Sequence, residues 1–279
     1  MTYVLFDIGG TKTRVAVSED LKTISQVESF KTPTKFEEGI EQLHSTIKKL
    51  YEGKVQGIAG GIRGALTEEK TGIQNDVVLK KWIGKSIVEA LQKKFKVPVF
   101  LENDSAIAGV GEAVYGAGKD MEIVAYHTVS TGVGGVKIEN GEIDLASVGF
   151  EPGHQVLDID RTILGEEITP TLENLVSGTA VKNRFGVEPY EIPQSDMLWK
   201  ELAEYLGQGL RNTVLYWSPD VIVLGGSMII GDPRIEVDDI RKYTVDALDG
   251  FVPCPLITTA KLGDEAGLYG AMAILKQRS

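Results

Sequence analysis

The segment "LFDIGGTKTRVAVS", residues 5–18, sets two apolar runs on either side of an adjacent glycine pair, with nothing helical between them. Residues 3–7 read as a buried strand and residues 14–18 as its return strand, so Gly9-Gly10 must turn the chain within a few residues. The pattern recurs about half a chain later. Residues 122–129 read as a strand, "STGVGG" as a glycine turn and residues 136–139 as the return strand. Two such strand–turn–strand units suit duplicated halves facing a shared cleft. A third pair, Gly225-Gly226, closes the apolar run 221–224.

Helical periodicity fills the intervals. Apolar residues at 36, 40, 43, 47 and 50 predict a helix over 36–51. Further helices are predicted over 83–95, 196–217, 237–248 and 265–275, with short strands over 55–59 and 98–101. The strand 98–101 runs into "ENDSAIAGVGEA", where Asp104 or Ser105 can cap a helix reaching residue 115. Strands alternating with helices define an α/β fold with mixed sheets, and "GAGK" at 116–119 is the candidate interdomain link.

Adjacent glycines followed by Thr11 and Lys12 expose backbone N–H groups with no side chain in the way, a concavity suited to phosphate oxygens. An ordinary hairpin turn also favours glycine, so one such turn carries little weight and three carry more. A Walker-type loop or a dinucleotide fingerprint would open a helix, whereas Gly9-Gly10 and Gly134-Gly135 return into strands. Asp7 ends the first strand against the turn, where it either shapes the turn or holds Mg²⁺ through water beside phosphates. Asn103 and Asp104 stand at a strand end before a helix, where ligands gather in open α/β sheets. Asp104 can accept a hydroxyl proton there while Asn103 bonds a second hydroxyl; a helix N-cap is the competing role. His154, one of three histidines, follows a Glu-Pro-Gly turn in "EPGHQVLDID" and alone reads as a structural histidine at a strand entrance.

Forty acidic against 29 basic residues leave a formal charge of −11, which argues against nucleic acid and anionic membranes as partners. Any phosphate must then be held locally, by amides, a metal ion or a few lysines. No apolar run reaches membrane-spanning length, and the chain enters its first strand without a basic leader. Cys254, the single cysteine, has no internal disulfide partner, so a reducing cytoplasm is the expected compartment.

In order and spacing, "DIGGTK" (7–12), "LENDSAIAGVGEA" (101–113), "STGVGGVKIENGEI" (130–143), "EPGH" (151–154), "LENLVSG" (172–178) and "VIVLGGS" (221–227) resemble the ROK family of sugar kinases. The resemblance spans nearly the whole chain and places it in the actin/hexokinase/Hsp70-like superfamily. It implies a two-lobed actin-like ATPase (ribonuclease H-like) fold, with mixed sheets flanked by helices around a central cleft. A small lobe over 1–116, completed by the C-terminal helix 263–279, and a large lobe over 117–262 are expected. The implied reaction is transfer of the ATP γ-phosphoryl group, with Mg²⁺, to a hexose or N-acetylhexosamine hydroxyl, with the 6-hydroxyl expected. A homodimer is the implied assembly.

Carried over position by position, Asp104 resembles the catalytic base and Asn103 a sugar ligand. Glu151, His154 and Glu173 resemble the remaining sugar contacts, and Arg63 in "GIAGGIRG" falls in a more variable sugar-contacting loop. Gly9, Gly10, Thr11 and Lys12 resemble one phosphate turn, with Asp7 placing Mg²⁺; Thr131, Gly132, Gly134 and Gly135 resemble the other. Gly225 and Gly226 resemble the adenosine-side motif.

One departure is specific. Many relatives carry a cysteine-rich zinc motif between the "ExGH" and "LE" segments, but "QVLDIDRTILGEEITPT" has no cysteine. Structural zinc needs four nitrogen or sulfur ligands, so no zinc is expected, and Ile163, Leu164 and Ile168 are expected to hold the loop by apolar packing. Three rivals share the superfamily. A sugar-responsive regulator would carry a helix-turn-helix region ahead of the first phosphate turn. A non-catalytic sugar-binding module would not need Asp7, Asp104 and both glycine turns. An iron–sulfur ATPase would need more than one cysteine.

Overall fold

β1 (Thr2–Ile8) and β2 (Lys12–Ser18) form the antiparallel hairpin that the glycine pair demands, in a computed structural model that describes residues 1–146 and 149–278. β3 (Ser25–Lys31) pairs antiparallel on the outer side of β2, while β4 (Val55–Ile62) continues the sheet in parallel from β1. A small hairpin of β5 (Ala65–Leu66) and β6 (Ile73–Asn75) follows, and β7 (Val99–Asn103) then pairs in parallel with β4. Val4, Leu5 and Phe6 are all fully buried because helices cover both faces of this sheet. Phe6 packs with α1 (Phe36–Leu50) and α2 (Ile87–Phe95); Leu5 packs with α3 (Asp104–Tyr115) and α9 (Ala266–Arg278). The last two helices touch through glycines: a Cβ added at Gly270 would stand 1.8 Å from the carbonyl oxygen of Ile107, closer than any atom can approach.

The chain divides into two compact units, Met1–Tyr115 with Asp264–Ser279, and Gly116–Gly263. The second unit repeats the plan of the first. β8 (Ile123–Val129) and β9 (Val133–Glu139) form an antiparallel hairpin with β10 (Glu142–Ile143) outside it, and further strands run parallel to β8. Three short helices, α4 (Leu172–Val176), α5 (Gly178–Phe185) and α7 (Ser227–Ile230), lie near the hairpin turn. The long α6 (Leu198–Trp217) and α8 (Val237–Leu248) pack on each other beside β11 (Val221–Gly225) and β12 (Leu256–Thr259). The strand orders are β3-β2-β1-β4-β7 and β10-β9-β8-β11-β12, an antiparallel outer strand and hairpin followed by two parallel strands in each unit.

Three sequence expectations shift. β3 carries "SQVESFK", a mostly exposed edge strand with no apolar alternation to betray it. The helix predicted over 83–95 begins only at Ile87, because Gly84 takes a left-handed φ of 73° and the Ser86 hydroxyl caps the helix by accepting from Glu89 N–H. The second glycine turn is shorter than predicted, and its return strand begins sooner. Pairing continues through Thr128–Gly134 and Val129–Val133, so Gly134 and Gly135 belong to β9 and the turn is Ser130–Thr131–Gly132. Among the described residues no helix is long and apolar enough to cross a membrane.

Candidate active site

In the first unit the whole turn is Gly9-Gly10-Thr11. Gly9 N–H donates to Lys12 O at 3.0 Å, Thr32 N–H donates to Thr11 O at 2.9 Å, and the Thr32 hydroxyl donates to Gly9 O at 2.8 Å. These bonds fix the loop and leave the N–H groups of Gly10 and Thr11 without an acceptor among the described residues. Neither Gly9 nor Gly10 has a positive φ. A Cβ at Gly10 would stand 2.9 Å from Arg63 Nη1 and 3.2 Å from both Arg63 Cδ and Val78 Cγ1, so a side chain there would have to displace its neighbours. Lys12 is exposed at the start of β2.

Asp7 and Arg14 are cross-strand partners in the β1–β2 register, with Arg14 Nη1 3.6 Å from Asp7 Oδ2. Arg14 Nη2 also holds Asp264. Gly61 lies between Asp7 and Asp104: a methyl there would stand 3.7 Å from Asp7 Oδ1 and 3.4 Å from Asp104 Cα. Burial and then the Asp104 charge push the Asp7 carboxyl up to about 6, with Arg14 opposing. Asp104 is raised by burial, against the Ser105 N–H that donates to its Oδ1 at 2.8 Å and the positive charge of Arg63. A carboxylate that burial and a neighbouring carboxylate both keep from ionising, as Asp7 is, is the kind of group a divalent cation relieves. Among the described residues no three His, Cys, Asp or Glu side chains are grouped to hold a metal directly. That donor set suits Mg²⁺ held by Asp7 through water.

The cap of α3 falls one residue earlier than expected. Asn103 Oδ1 accepts from Ser105 N–H at 2.9 Å and Ala106 N–H at 3.2 Å, while its Nδ2 donates to Gly64 O at 3.1 Å. The side chain predicted to bond sugar thus spends its oxygen on the helix and one N–H on the chain beside Arg63; the second N–H is its remaining donor. Arg63 follows β4 directly, and its Nε donates to Asp76 Oδ1 at 3.1 Å.

In the second unit, other segments converge on Ser130–Thr131–Gly132. Gly178 N–H donates to Ser130 O at 2.7 Å, and the Ser130 and Ser227 hydroxyls lie 3.0 Å apart. Glu173 Oε2 accepts from Val133 N–H at 2.8 Å, and a Cβ at Gly132 would stand 2.6 Å from that oxygen. Glu173, predicted as a sugar ligand, therefore braces this glycine turn. Gly135 and Gly153 let the 3-10 turn Pro152–His154 lie against β9: added Cβ atoms would meet Pro152 Cγ at 2.7 Å and Val133 O at 2.2 Å. That turn leaves His154 and Glu151 exposed. Gly226, at φ 88°, turns β11 into α7 against the carbonyl of Val129; Gly225 precedes it with no room for a methyl beside the Tyr126 hydroxyl.

The loop ahead of Glu173 is organised mainly by a carboxylate. Asp158 Oδ1 accepts from Thr162 N–H at 3.0 Å, and Oδ2 accepts from Ile163 and Leu164 N–H at 3.1 and 2.8 Å. Arg161 Nη1 donates to the carbonyls of Glu166 and Ile168 at 3.0 and 2.9 Å. Leu164 and Ile168 do pack into the core, but Ile163 is 40% exposed and contributes little. Sequence reasoning missed Asp158, Asp76 and Arg14. Of these, only Arg14 had a usable signal, since alternation through the turn sets it opposite Asp7.

A cavity of about 520 Å³ opens beside the second turn, lined by Thr131, Gly178, Lys182, Tyr190, Ser227 and Met228 among others. The paired hairpin-and-parallel sheets are those of the actin-like ATPase fold. The structure superposes on the ROK hexokinase of Thermus thermophilus with a TM-score of 0.83, 28% identity and coverage of 100% of this chain and 99% of that one. It superposes on a ROK family glucokinase of Streptomyces griseus, solved with glucose and AMPPNP, with a TM-score of 0.80, 25% identity and coverage of 99% and 100%. Within that fold the chain belongs to the ROK family, whose sequence model matches residues 3–278. It is also 28% identical over 265 residues to the fructokinase of Lactococcus lactis subsp. cremoris, covering 91% of this chain and 87% of that relative.

Proposed function

We propose that the chain is an ATP-dependent sugar kinase that transfers the γ-phosphoryl group to a hexose or N-acetylhexosamine hydroxyl, with the 6-hydroxyl as acceptor. The observation that carries this reading is the Asp7–Asp104 carboxylate pair on either side of Gly61, at the ends of β1 and β7 and next to a turn with two unclaimed amides. Phosphoryl transfer needs mainly positioning, charge neutralisation and a group to receive one proton. Asp104 receives the acceptor hydroxyl proton, and its raised pKa brings it closer to the working range of a general base. The amides of Gly10 and Thr11, with Lys12, hold phosphate oxygens of the nucleotide. Asp7 holds Mg²⁺ through water, and the bound ion supplies charge neutralisation for the triphosphate.

The second unit contributes the Ser130–Gly132 turn and the cavity beside it, where Pro189, Tyr190 and Met228 offer apolar surface to a nucleotide base and Ser, Thr and charged side chains offer polar groups to ribose and phosphate. Glu151, His154 and Glu173 present polar atoms to sugar hydroxyls, and Asn103 offers its remaining N–H. No zinc enters this account, because the Asp158 and Arg161 bonds order the loop that zinc holds in other members.

The test is ADP release measured across glucose, fructose, N-acetylmannosamine, N-acetylglucosamine and allose. One sugar should stimulate ADP release above the ATPase background, and Asp104→Asn should lower that turnover by roughly 10²–10⁴ with sugar affinity within a few-fold. Turnover within about threefold of the parent would remove Asp104 from the base role, since positioned proton acceptors contribute far more than that.

A further inference from the structure

Arg63 is a cation held in one place by a carboxylate that the reaction itself does not use. Asp76, only 3% exposed in its side chain, accepts from Arg63 Nε through Oδ1, and its Oδ2 accepts from Leu79 N–H at 2.7 Å and Val78 N–H at 3.2 Å. The carboxylate is thus anchored to backbone on one side and grips the guanidinium on the other. Its grip takes only Nε; Nη1 lies against the turn, where a Cβ on Gly10 would meet it at 2.9 Å. The chain around Arg63 is equally fixed. Its N–H donates to Ile8 O at 3.1 Å, and the next residue, Gly64, has a φ of 101° and accepts from Asn103 Nδ2. Arg63 also lowers the Asp104 carboxyl from the value that burial alone would give it. A guanidinium beside a phosphate-holding turn and within electrostatic reach of the base meets an anion, not a neutral ring hydroxyl.

Resting on the sugar-kinase reading, we infer that Arg63 is a catalytic residue whose guanidinium neutralises the transferring phosphoryl group, and that Asp76 is the positioning residue that aims it. In the step, the acceptor oxygen forms a bond to the γ-phosphorus as the bond to the β,γ-bridging oxygen breaks. The bridging oxygen leaves with the electron pair on ADP, and the acceptor hydroxyl proton goes to Asp104. Arg63 stays protonated throughout and exchanges nothing. Planar, permanently charged and pre-aimed, it offers two or more N–H groups to equatorial oxygens, the role for which arginine is suited over lysine. This differs from the sugar contact expected of that loop.

The experiment uses the full-length chain and its best sugar, with Arg63→Gln, Arg63→Lys and Asp76→Asn and their double variant. Arg63→Gln should lower kcat by roughly 10²-fold or more, in the range of losing a charged transition-state donor, with sugar KM within threefold. Asp76→Asn should lower kcat by about tenfold while Arg63 is present and add almost nothing once Arg63 is gone, because coupled residues are non-additive. The acid limb of the kcat–pH profile should move upward in Arg63→Gln, as Asp104 loses a cation that favours its ionised form. A purely structural role would leave that limb unmoved. Added guanidinium ion should restore part of the lost kcat in Arg63→Gln. A tenfold or larger rise in sugar KM at unchanged kcat would overturn the inference and make Arg63 a sugar ligand, leaving the kinase reading intact. Equal losses from Asp76→Asn with and without Arg63 would overturn the positioning role. Absence of sugar-dependent phosphoryl transfer in the parent protein would overturn the kinase reading itself.

Discussion

Burial raises the Asp7 carboxyl to about 6, and the charge of Asp104 adds to the effect. The unfolded chain releases that proton near 3.8, so between the two values the folded state binds more protons and stability falls as pH rises through the window. At about 1.4 kcal/mol per tenfold, the ionised carboxylate costs the apo fold up to about 3 kcal/mol at neutral pH. Asp7→Asn should therefore raise stability to urea at pH 7.5, by less than that limit because Arg14 loses a partner, while Mg²⁺-dependent turnover drops. Unfolding curves at pH 7.5 and pH 4 check it, the gain being confined to the higher pH. A variant no more stable than the parent at pH 7.5 would mean that Arg14 already offsets the burial. At this scale the sequence was informative where a residue stands at a strand end: Asp7 lies next to the last residue of β1, Asn103 ends β7 and Asp104 opens α3 directly after it. It was silent on pairs brought together from distant segments. Arg63 and Asp76 are 13 positions apart, and nothing in "RGALTEEKTGIQND" marks the contact.

The elements fared differently according to what fixes them. Helices with an apolar stripe, such as Phe36–Leu50 and Val237–Leu248, ended within about one residue of their predicted bounds because burial of that stripe is what forms them. β3 was invisible, since an exposed edge strand owes its conformation to its neighbour's hydrogen bonds and not to its own pattern. The second glycine turn was drawn too long because Gly134 and Gly135 were read as part of the turn. Gly135 instead makes room for the Pro152–His154 turn, a demand set by tertiary contact. The loop 155–171 was half legible: its apolar anchors could be named, its Asp158 hub could not. Asp158 accepts four hydrogen bonds from residues 162–164, which hold its carboxyl below the usual range against the opposing effect of burial. Asp158→Ala should free those amides, so hydrogen exchange over 158–171 should accelerate and sugar KM should rise through Glu173, with ATP KM following because the same carboxylate accepts from Val133 N–H beside the Ser130–Gly132 turn. Chelators should leave the parent's melting temperature unmoved, whereas removal of a structural zinc, worth on the order of 10 kcal/mol, would collapse it. Stoichiometric zinc in purified protein would transfer the loop's order from Asp158 to a metal.

Each half of the molecule owns a core, and the chain reaches the first one twice, since α9 packs on Leu5 and Ala59 after the whole second unit has been built. The two units also hold ionisable groups whose shifts oppose folding at opposite ends of the pH scale, Asp7 in the first and His127 in the second. In the second unit His127 is fully buried, its Nε2 3.0 Å from the Thr213 hydroxyl and its ring stacked on Trp217 at 5.4 Å between centroids. Its Nδ1 has no partner among the described residues, which assigns the proton to Nε2, since a buried unpaired lone pair is tolerated better than a buried unpaired N–H. Burial pushes this ring down to about 4 from 6.5. The unfolded state therefore binds more protons between those values, so the stability of this unit is complete above 6.5 and falls as pH drops towards 4, by roughly 3 kcal/mol in total. Asp7 gives the first unit the reverse slope across nearly the same window. Hydrogen-exchange protection factors, corrected for intrinsic rates, should register this on the apo protein at pH 5 and 7.5. Amides of β8 and β11 should gain protection at the higher pH, while those of β1 and β4 should lose it or stay level. His127→Asn, which keeps a donor towards Thr213, should flatten the response of β8 and β11 and leave β1 and β4 as they were. Parallel gains in both sheets, or a His127→Asn response as steep as the parent's, would refute the assignment of acid sensitivity to this histidine.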